Sequence, residues 1–470
     1  MTKTKRKMPW ALIPVIFALA WPTMLEQLLS TAVQYIDTAM VGSLGTNATA
    51  AVGSTTTVNW LVGSTISAIG VGFLAFISQA RGAGRDEEAR KASGQAVLAV
   101  LVVGSLFTLI TLLLSPIIPT LMQVDEPLRE ISAKYFFILY TPLIFRCATI
   151  IFGTVLRAGG DTKTPMLVGL LVNIVNVVLN FFFIYQTRIV NIFGIDIKIF
   201  GFGMGVIGAG IASAIAYTVG GVAIFIALWR HKALSPKGQS IKPNFKILKP
   251  CLRVAMPNAL QRFGTSFGYV AFASMVNSLG PVATAAHTFA NTVESAFYIP
   301  GYGMQSASAT LVGNALGAND KKRIKDLALM IILIEIVLMI ISGGLLFIFA
   351  PNMMALFSTD SLVIPLGATV LRMVALSEPF YGVSIVIEGM MQGMGKTFIP
   401  FLTNIIGMWA IRIVGTFICT QIFDFGLIGA WACMILHNLM LFFVFTILLG
   451  AGKILPRENS SKEVKREATK

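Results

Sequence analysis

The sequence predicts an all-α integral membrane protein: twelve transmembrane helices in two homologous six-helix bundles, both termini cytoplasmic. Three observations carry this. Of 470 residues, 56% are hydrophobic and only 12% charged, with a mean hydropathy of +0.79, too apolar for a soluble domain. Twelve runs reach the roughly 20 apolar residues that a bilayer-spanning helix needs. The chain also repeats itself at a fixed distance.

The runs lie near 11–42, 49–80, 93–115, 131–156, 164–186, 204–229, 250–279, 283–315, 327–350, 362–394, 398–421 and 426–450. The opening "MTKTKRKMPW" is basic and then apolar like a signal peptide. Its apolar stretch continues past Glu26 to Met40, so it reads as a retained first span.

Basic residues alternate between the connections. The N-terminus holds Lys3, Lys5, Arg6 and Lys7, the second connection Arg81, Arg85, Arg90 and Lys91, and the fourth Arg157 and Lys163. The sixth carries Lys232, Lys237, Lys242, Lys246 and Lys249, the eighth Lys321, Lys322, Arg323 and Lys325, and the tenth Lys396. The odd connections hold only Arg129, Lys134, Arg188 and Lys198. By the positive-inside rule both termini are cytoplasmic, which requires an even number of spans in a multi-pass plasma-membrane protein. The net charge of +15 is therefore a topology signal and not a sign of nucleic acid as a partner.

Pro22 matches Pro257, Leu44 and Gly45 match Leu279 and Gly280, Gly82 matches Gly317, Pro116 matches Pro351, Asp125 matches Asp360, and Pro165 matches Pro400. All pairs share one offset of 235 positions. The expected organisation is a lobe over 1–229, a basic linker over 230–249, a second lobe over 250–450 and a charged cytoplasmic tail over 451–470. Parallel repeats of this kind are a transporter architecture, with the substrate path between the halves.

Polar residues inside the spans then mark the interior. Glu26, Ser30, Gln34 and Asp37 follow spacings of 4, 4 and 3 and share one face of the first helix. An intramembrane carboxylate costs about 2.5–3.5 kcal/mol on insertion scales, so it is neutral, paired or functional. An acid that exchanges protons fits Asp37; the plain alternative is an Asp solvated at the outer end of its span. Its repeat mate is Phe272, so the acid belongs to the N-terminal half alone.

In the fifth span Asn173, Asn176 and Asn180 share a face and must look inward. Their carbonyls could ligate a hard cation or orient Asp37; interhelical hydrogen bonding is the competing reading. The sixth span, "GVIGAGIASAIAY", is a close-packing helix built on Gly208, Ala209, Gly210 and Ala212, with Ser213 as its inward polar atom. In the second half His287, Asn291, Glu294 and Tyr298 form one stripe, and Glu378, Tyr381, Glu388 and Gln392 another. Arg146, Arg262, Arg372 and Arg412 also lie within spans, so a Glu–Arg pair is the competing explanation for either glutamate. Carboxylates among the 33 phenylalanines and 21 methionines would make a soft cavity wall that favours cations.

Other chemistries find little support. Cys147, Cys251, Cys419 and Cys433 are dispersed with no CxxC and read as small apolar packing residues. Three scattered histidines do not suggest a zinc site. No GxxxxGK[ST] loop is present, so transport would draw on an ion gradient and no cofactor is expected.

The stretches "PTMLEQLLSTAVQYIDTAMVGSLGTNATAAVG", "QARGAGR", "GTVLRAGGDTKTP", "ATLVGNALGA" and "GMMQGMGKTFIP" resemble the multidrug and toxic compound extrusion (MATE) family over essentially the whole chain. The resemblance implies a secondary antiporter, not an enzyme. It would export organic cations or other small amphipathic compounds in exchange for H+ or Na+, by alternating access between two lobes, and work as a monomer. The family's coupling acid at the "ID" of the first helix falls on Asp37. The fifth-helix "NxxxD" of DinF-like members reads "NVVLN" here, giving Asn176 and Asn180, and a sixth-helix hydroxyl falls on Ser213. The missing second acid disfavours a full sodium site at Asp37, Asn176 and Asn180 and favours a lone-Asp proton site. NorM-like acids would fall near Thr265 and Tyr381, neither acidic, which points to a DinF-like branch. Bending of the first helix at Pro22 completes the implied mechanism. A lipid-linked oligosaccharide flippase of the same superfamily is the rival within transport, and a membrane-embedded transferase the rival outside it.

Overall fold

The computed structural model describes residues 9–53, 55–192 and 195–454. Lys3, Lys5, Arg6, Lys7 and most of the 451–470 tail lie outside the described residues. Among the described residues each of the twelve apolar runs falls mainly on helix. The first half comprises α1 (Ile13–Gly42), α2 (Thr46–Gly53), α3 (Thr56–Gly82), α4 (Asp86–Leu114), α5 (Ile118–Leu121), α6 (Glu126–Tyr140), α7 (Leu143–Ala158), α8 (Lys163–Phe183) and α9 (Gly205–Arg230). The second comprises α10 (Phe245–Asn277), α11 (Pro281–Phe297), α12 (Ile299–Gly317), α13 (Lys321–Ala355) and α14 (Val363–Gly393). It continues with α15 (Phe398–Ile406), α16 (Val414–Phe417) and α17 (Gly426–Gly450), with π-helical stretches at Gly407–Ile413 and Ile418–Ile422.

Among the described residues nine helical segments are long and apolar enough to cross a bilayer, or ten when α6 and α7, bent by 47°, count as one. Pro142 explains that bend: it lacks the N–H that would continue α6. The remaining two runs, at α10 and α11–α12, are helical but more polar. Lys246, Lys249, Arg253 and Arg262 dilute α10, and Gly, Ser, Thr and Asn dilute α12.

The repeat is written into the helix boundaries. α1 and α10 end at Gly42 and Asn277, α3 and α12 at Gly82 and Gly317, and α7 and α14 at Ala158 and Gly393. α4 and α13 begin at Asp86 and Lys321, and α8 and α15 at Lys163 and Phe398. All keep the offset of 235. The offset is lost at an antiparallel hairpin, β1 (Gln186–Ile192) and β2 (Ile195–Phe202), which pairs Arg188 with Ile199 and Val190 with Ile197. Its counterpart in the second half is only the turn between Ile422 and Gly426. This hairpin is the one departure from the all-helical expectation among the described residues.

A close backbone approach between the repeats is itself symmetric. A Cβ on Gly82 would stand 1.8 Å from the Asn314 carbonyl oxygen, and one on Gly317 1.9 Å from that of Gln79. Gln79 and Asn314 are repeat mates, so one contact is made twice about a two-fold relation. Gln79 Nε2 also donates to the Gly393 carbonyl at 2.9 Å.

By packing, the chain divides into two units, one of 25–73 with 86–250, the other of residues up to Met24, Leu74–Arg85 and Cys251 onward. The second is centred on α12, α13 and α14, where Met304, Val312, Ile331, Val386 and Met390 are fully buried together with Ile16 and Ala20. In the first, the basic segment after α9 is strapped to α4. Gln95 Nε2 donates to the carbonyls of Ser240 (3.3 Å) and Lys242 (2.9 Å), and its Oε1 accepts from the Asn244 amide (2.9 Å). Leu234 is wholly buried against Gly159, where a Cβ would meet its Cδ1 at 2.4 Å. Gln95→Ala should cost about 1–3 kcal/mol by orphaning these groups. It should also speed tryptic cleavage after Lys237 and Lys242 several-fold, as limited proteolysis would show.

Candidate functional site

The 25–73/86–250 unit holds a partly open cavity of about 470 Å³ walled by α1, α2, α3, α6, α7, α8 and α9. The polar face of α1 forms one wall, with Glu26, Ser30, Gln34 and Asp37 all lining it, and Asn173, Asn176 and Asn180 of α8 line the facing wall. Glycines set the approach. A Cβ on Gly208 would lie 2.5 Å from the Phe183 carbonyl oxygen, and one on Gly220 would meet Val172 at 2.3 Å. This brings α9 onto α8 and carries Ser213 to Asn176.

Asp37 is the centre of the arrangement. Asn180 Nδ2 donates to its Oδ1 at 2.7 Å. Asn176, with its carboxamide turned to satisfy Asp37 and Ser213, donates to Oδ1 at 2.8 Å and Oδ2 at 3.0 Å and accepts from Ser213 Oγ at 3.0 Å. Both asparagines are buried, and Asn180 Oδ1 has no hydrogen-bond partner among the described residues. A carboxylate that receives two amide N–H groups is held in a charge-assisted cradle. Turned over, the same amides and Ser213 would offer three neutral oxygens beside it, a donor set that suits a hard cation. No Lys, Arg or His approaches Asp37 within salt-bridge distance among the described residues.

Glu26 differs. Both its oxygens accept from Arg157 of α7, at 2.8 and 2.6 Å, while Gly169 on α8 leaves room for its side chain. The pair is partly buried, with side chains 26% and 17% exposed. Arg157→Ala would leave this carboxylate unpaired and should destabilise the protein by about 1–3 kcal/mol, between exposed and buried pairs. Thermal unfolding in detergent would read this as a lowered midpoint, partly restored by adding Glu26→Gln.

Arg146, Asn59, Tyr135 and Tyr217 also line the cavity, and sequence reasoning does not place them there. Arg146 donates to Asn59 Oδ1 and lies over the Tyr217 ring, 5.2 Å from its centroid. It is thus part of the wall and not a glutamate partner.

In the other unit the predicted stripes are brought together only in part. Tyr298 donates its hydroxyl to buried Glu294 and stacks edge-on with Tyr381 at 5.1 Å. Glu388 accepts from three amides, Gln261 (3.1 Å), Gln392 (3.3 Å) and Asn404 (3.4 Å). Neither glutamate makes a salt bridge with Arg262, Arg372 or Arg412 among the described residues. The competing Glu–Arg explanation is therefore corrected: a phenol and neutral amides do that work, and Arg412 lies over the Tyr269 and Phe272 rings at 5.0 and 4.8 Å. His287 packs between Phe272 and Trp431, and Asn291 is exposed.

Two carboxyls stand out. Glu335 of α13 and Glu378 of α14 are fully buried, and all four oxygens lack a hydrogen-bond partner among the described residues. Glu335 fits a slot between two glycines, where Cβ atoms on Gly382 and Gly301 would come within 2.7 and 3.0 Å of its Oε1. Sequence reasoning misses Glu335. The available signal is one acid in the most apolar stretch of the half, "IILIEIVLM".

Comparisons with known proteins agree with this architecture. The MatE family model matches twice, over residues 22–182 and 257–418, and so finds the duplication independently. A probable multidrug resistance protein NorM of Thermotoga maritima is 26% identical over 421 residues, 89% of this chain and 88% of that protein. The probable multidrug resistance protein YoeA of Bacillus subtilis is 25% identical, covering 87% of each. Among solved structures, an outward-facing multidrug resistance MATE transporter of the MOP superfamily superimposes with a TM-score of 0.85 at 22% identity, covering 94% of this chain and 95% of that one. A MOP superfamily transporter from Pyrococcus furiosus, described as having a binding pocket of reverse polarity, gives 0.84 at 23% identity, with 94% and 95% covered. With both halves matched by the family model, the chain belongs to the MatE family of multidrug and toxic compound extrusion transporters, and it is a transporter, not an enzyme.

Proposed function

We propose that the protein is a multidrug antiporter that exports small cationic or amphipathic compounds and is driven by protons taken up at Asp37. The observation that carries this is the isolation of Asp37. Of the two carboxylates lining the cavity, Glu26 is neutralised by Arg157, while among the described residues Asp37 meets only neutral amides. An intramembrane acid without a basic partner, in a cavity with room for water, is placed for ion exchange. Asn176, Asn180 and Ser213 hold it, and their oxygens make sodium the second reading. Non-acidic Thr265 and Tyr381 support a DinF-like pattern.

In the proposed cycle a proton on Asp37 weakens the site's hold on a cationic substrate in the outward-open state, and loss of the proton inward resets the lobes, with α1 flexing at Pro22. The lobes are taken as 1–229 and 250–450, the linker as 230–249, in a monomer of the plasma membrane with cytoplasmic termini. The alternation of basic connections supports that orientation. Fluorescent-cation efflux from proteoliposomes tests the ion. A pH gradient alone should drive it and a sodium gradient alone should not. Drive by sodium only, with sodium raising the melting temperature, would replace the proton with the cation.

A further inference from the structure

Cys419 and Cys433 sit on the two arms of the last helical hairpin, Cys419 in the π-helical Ile418–Ile422 stretch and Cys433 on α17. Their sulfurs are 3.6 Å apart. The arms approach through a reciprocal arrangement. A Cβ on Gly429 would lie 3.0 Å from Cys419 Cβ, and one on Gly415 would lie 3.0 Å from Cys433 Sγ. Each arm thus carries a glycine four residues before its cysteine, and each cysteine packs over the other arm's glycine. The remaining cysteines, Cys147 and Cys251, are buried and have no sulfur neighbour among the described residues.

We propose that Cys419 and Cys433 are a reversible thiol–disulfide site, and that its oxidation ties the π-helical end of this span to α17. A disulfide needs sulfurs about 2.05 Å apart, so these must close by roughly 1.5 Å. Rotation about χ1, with adjustment of the wide π turns, supplies that movement. Cys419 is the more accessible of the two and is the attacking sulfur.

With a peroxide as oxidant, the Cys419 thiolate attacks one oxygen, the O–O bond breaks, and Cys419 becomes a sulfenic acid as the first water leaves. The Cys433 sulfur then displaces the hydroxyl, forming the S–S bond and releasing the second water. Two thiols and one hydrogen peroxide become one disulfide and two waters. The two electrons lost by sulfur reduce the peroxide, and the reverse step takes a dithiol reductant. The bond would fix the winding of Gly407–Ile422, the segment that lays Arg412 over Tyr269 and Phe272.

The test uses the full chain in lipid nanodiscs, treated with hydrogen peroxide or with dithiothreitol. Free thiols are then trapped in denaturant and mapped by peptide mass spectrometry, with backbone hydrogen exchange followed over 414–422. Peroxide should lower the free thiols from the four of the sequence by one pair and yield a linked peptide holding Cys419 and Cys433. It should also slow exchange over 414–422 several-fold, reversibly, and Cys433→Ser should abolish both changes. Four thiols persisting after oxidation, or linkage of Cys147 or Cys251 instead, would overturn the site; a linked pair with unchanged exchange would overturn the tie.

Discussion

Asp37→Asn should reduce gradient-driven efflux to the level of empty liposomes while substrate still binds. The substitution keeps the size of the side chain and removes its charge, so the cradle of Asn176, Asn180 and Ser213 can re-form by turning its amides. What is lost is the group that exchanges an ion. Coupling free energies of 1–3 kcal/mol correspond to about 5- to 150-fold, so the imposed gradient should no longer alter substrate affinity by that factor. The measurement is paired: efflux under a pH or sodium gradient, and equilibrium substrate binding without one. Loss of the first with retention of the second is the expected result; loss of both would make Asp37 a substrate ligand, and loss of neither would leave it a structural residue.

Gly82→Val should be the most damaging single change to the fold. Even a Cβ there would stand 1.8 Å from the Asn314 carbonyl oxygen, and backbone cannot rotate aside as a side chain can. Overpacking typically costs 1–3 kcal/mol; with backbone as the obstacle the cost should be at least about 3. Because Gly317 makes the mirror contact with Gln79, Gly317→Val should be equally severe, and the two together should cost less than their sum. Yield of monodisperse protein and its melting temperature decide this. By contrast Gly344, with nothing within 4 Å of its Cβ position, should accept Ala with little change.

Much of this architecture is legible in the amino-acid sequence. Apolar runs of span length locate the helices because a bilayer demands a minimum length, and the 235-residue offset marks the repeat on which several of their boundaries fall. The faces bearing Asp37 and Asn173, Asn176 and Asn180 follow from helical spacing. Spacing does not supply partners: Arg157 stands 131 positions from Glu26, and nothing in the first helix names it. Glu335 escapes for a related reason, since its slot is built by Gly301 and Gly382 on other helices, and glycine in a sequence reads only as close packing. The hairpin of β1 and β2 lies between two strong helical runs, where its residues read as a connection. The π-helical stretches have no compositional mark at all, because the extra residue in each turn is accommodated by neighbouring helices and not by local propensity.

Those π turns have a consequence for the bilayer. α8 has 21 residues and at 1.5 Å per residue is about 31 Å long, close to the hydrocarbon thickness. Its repeat mate runs from Phe398 to Ile422, 25 residues, and as a uniform α-helix would reach about 38 Å. A π turn bonds over five residues instead of four, so it advances less for each residue it holds. The longer segment is thereby shortened toward the length of its mate. Two repeats of unequal residue count can then meet the same hydrophobic thickness without the added tilt or local membrane deformation that a mismatched helix imposes.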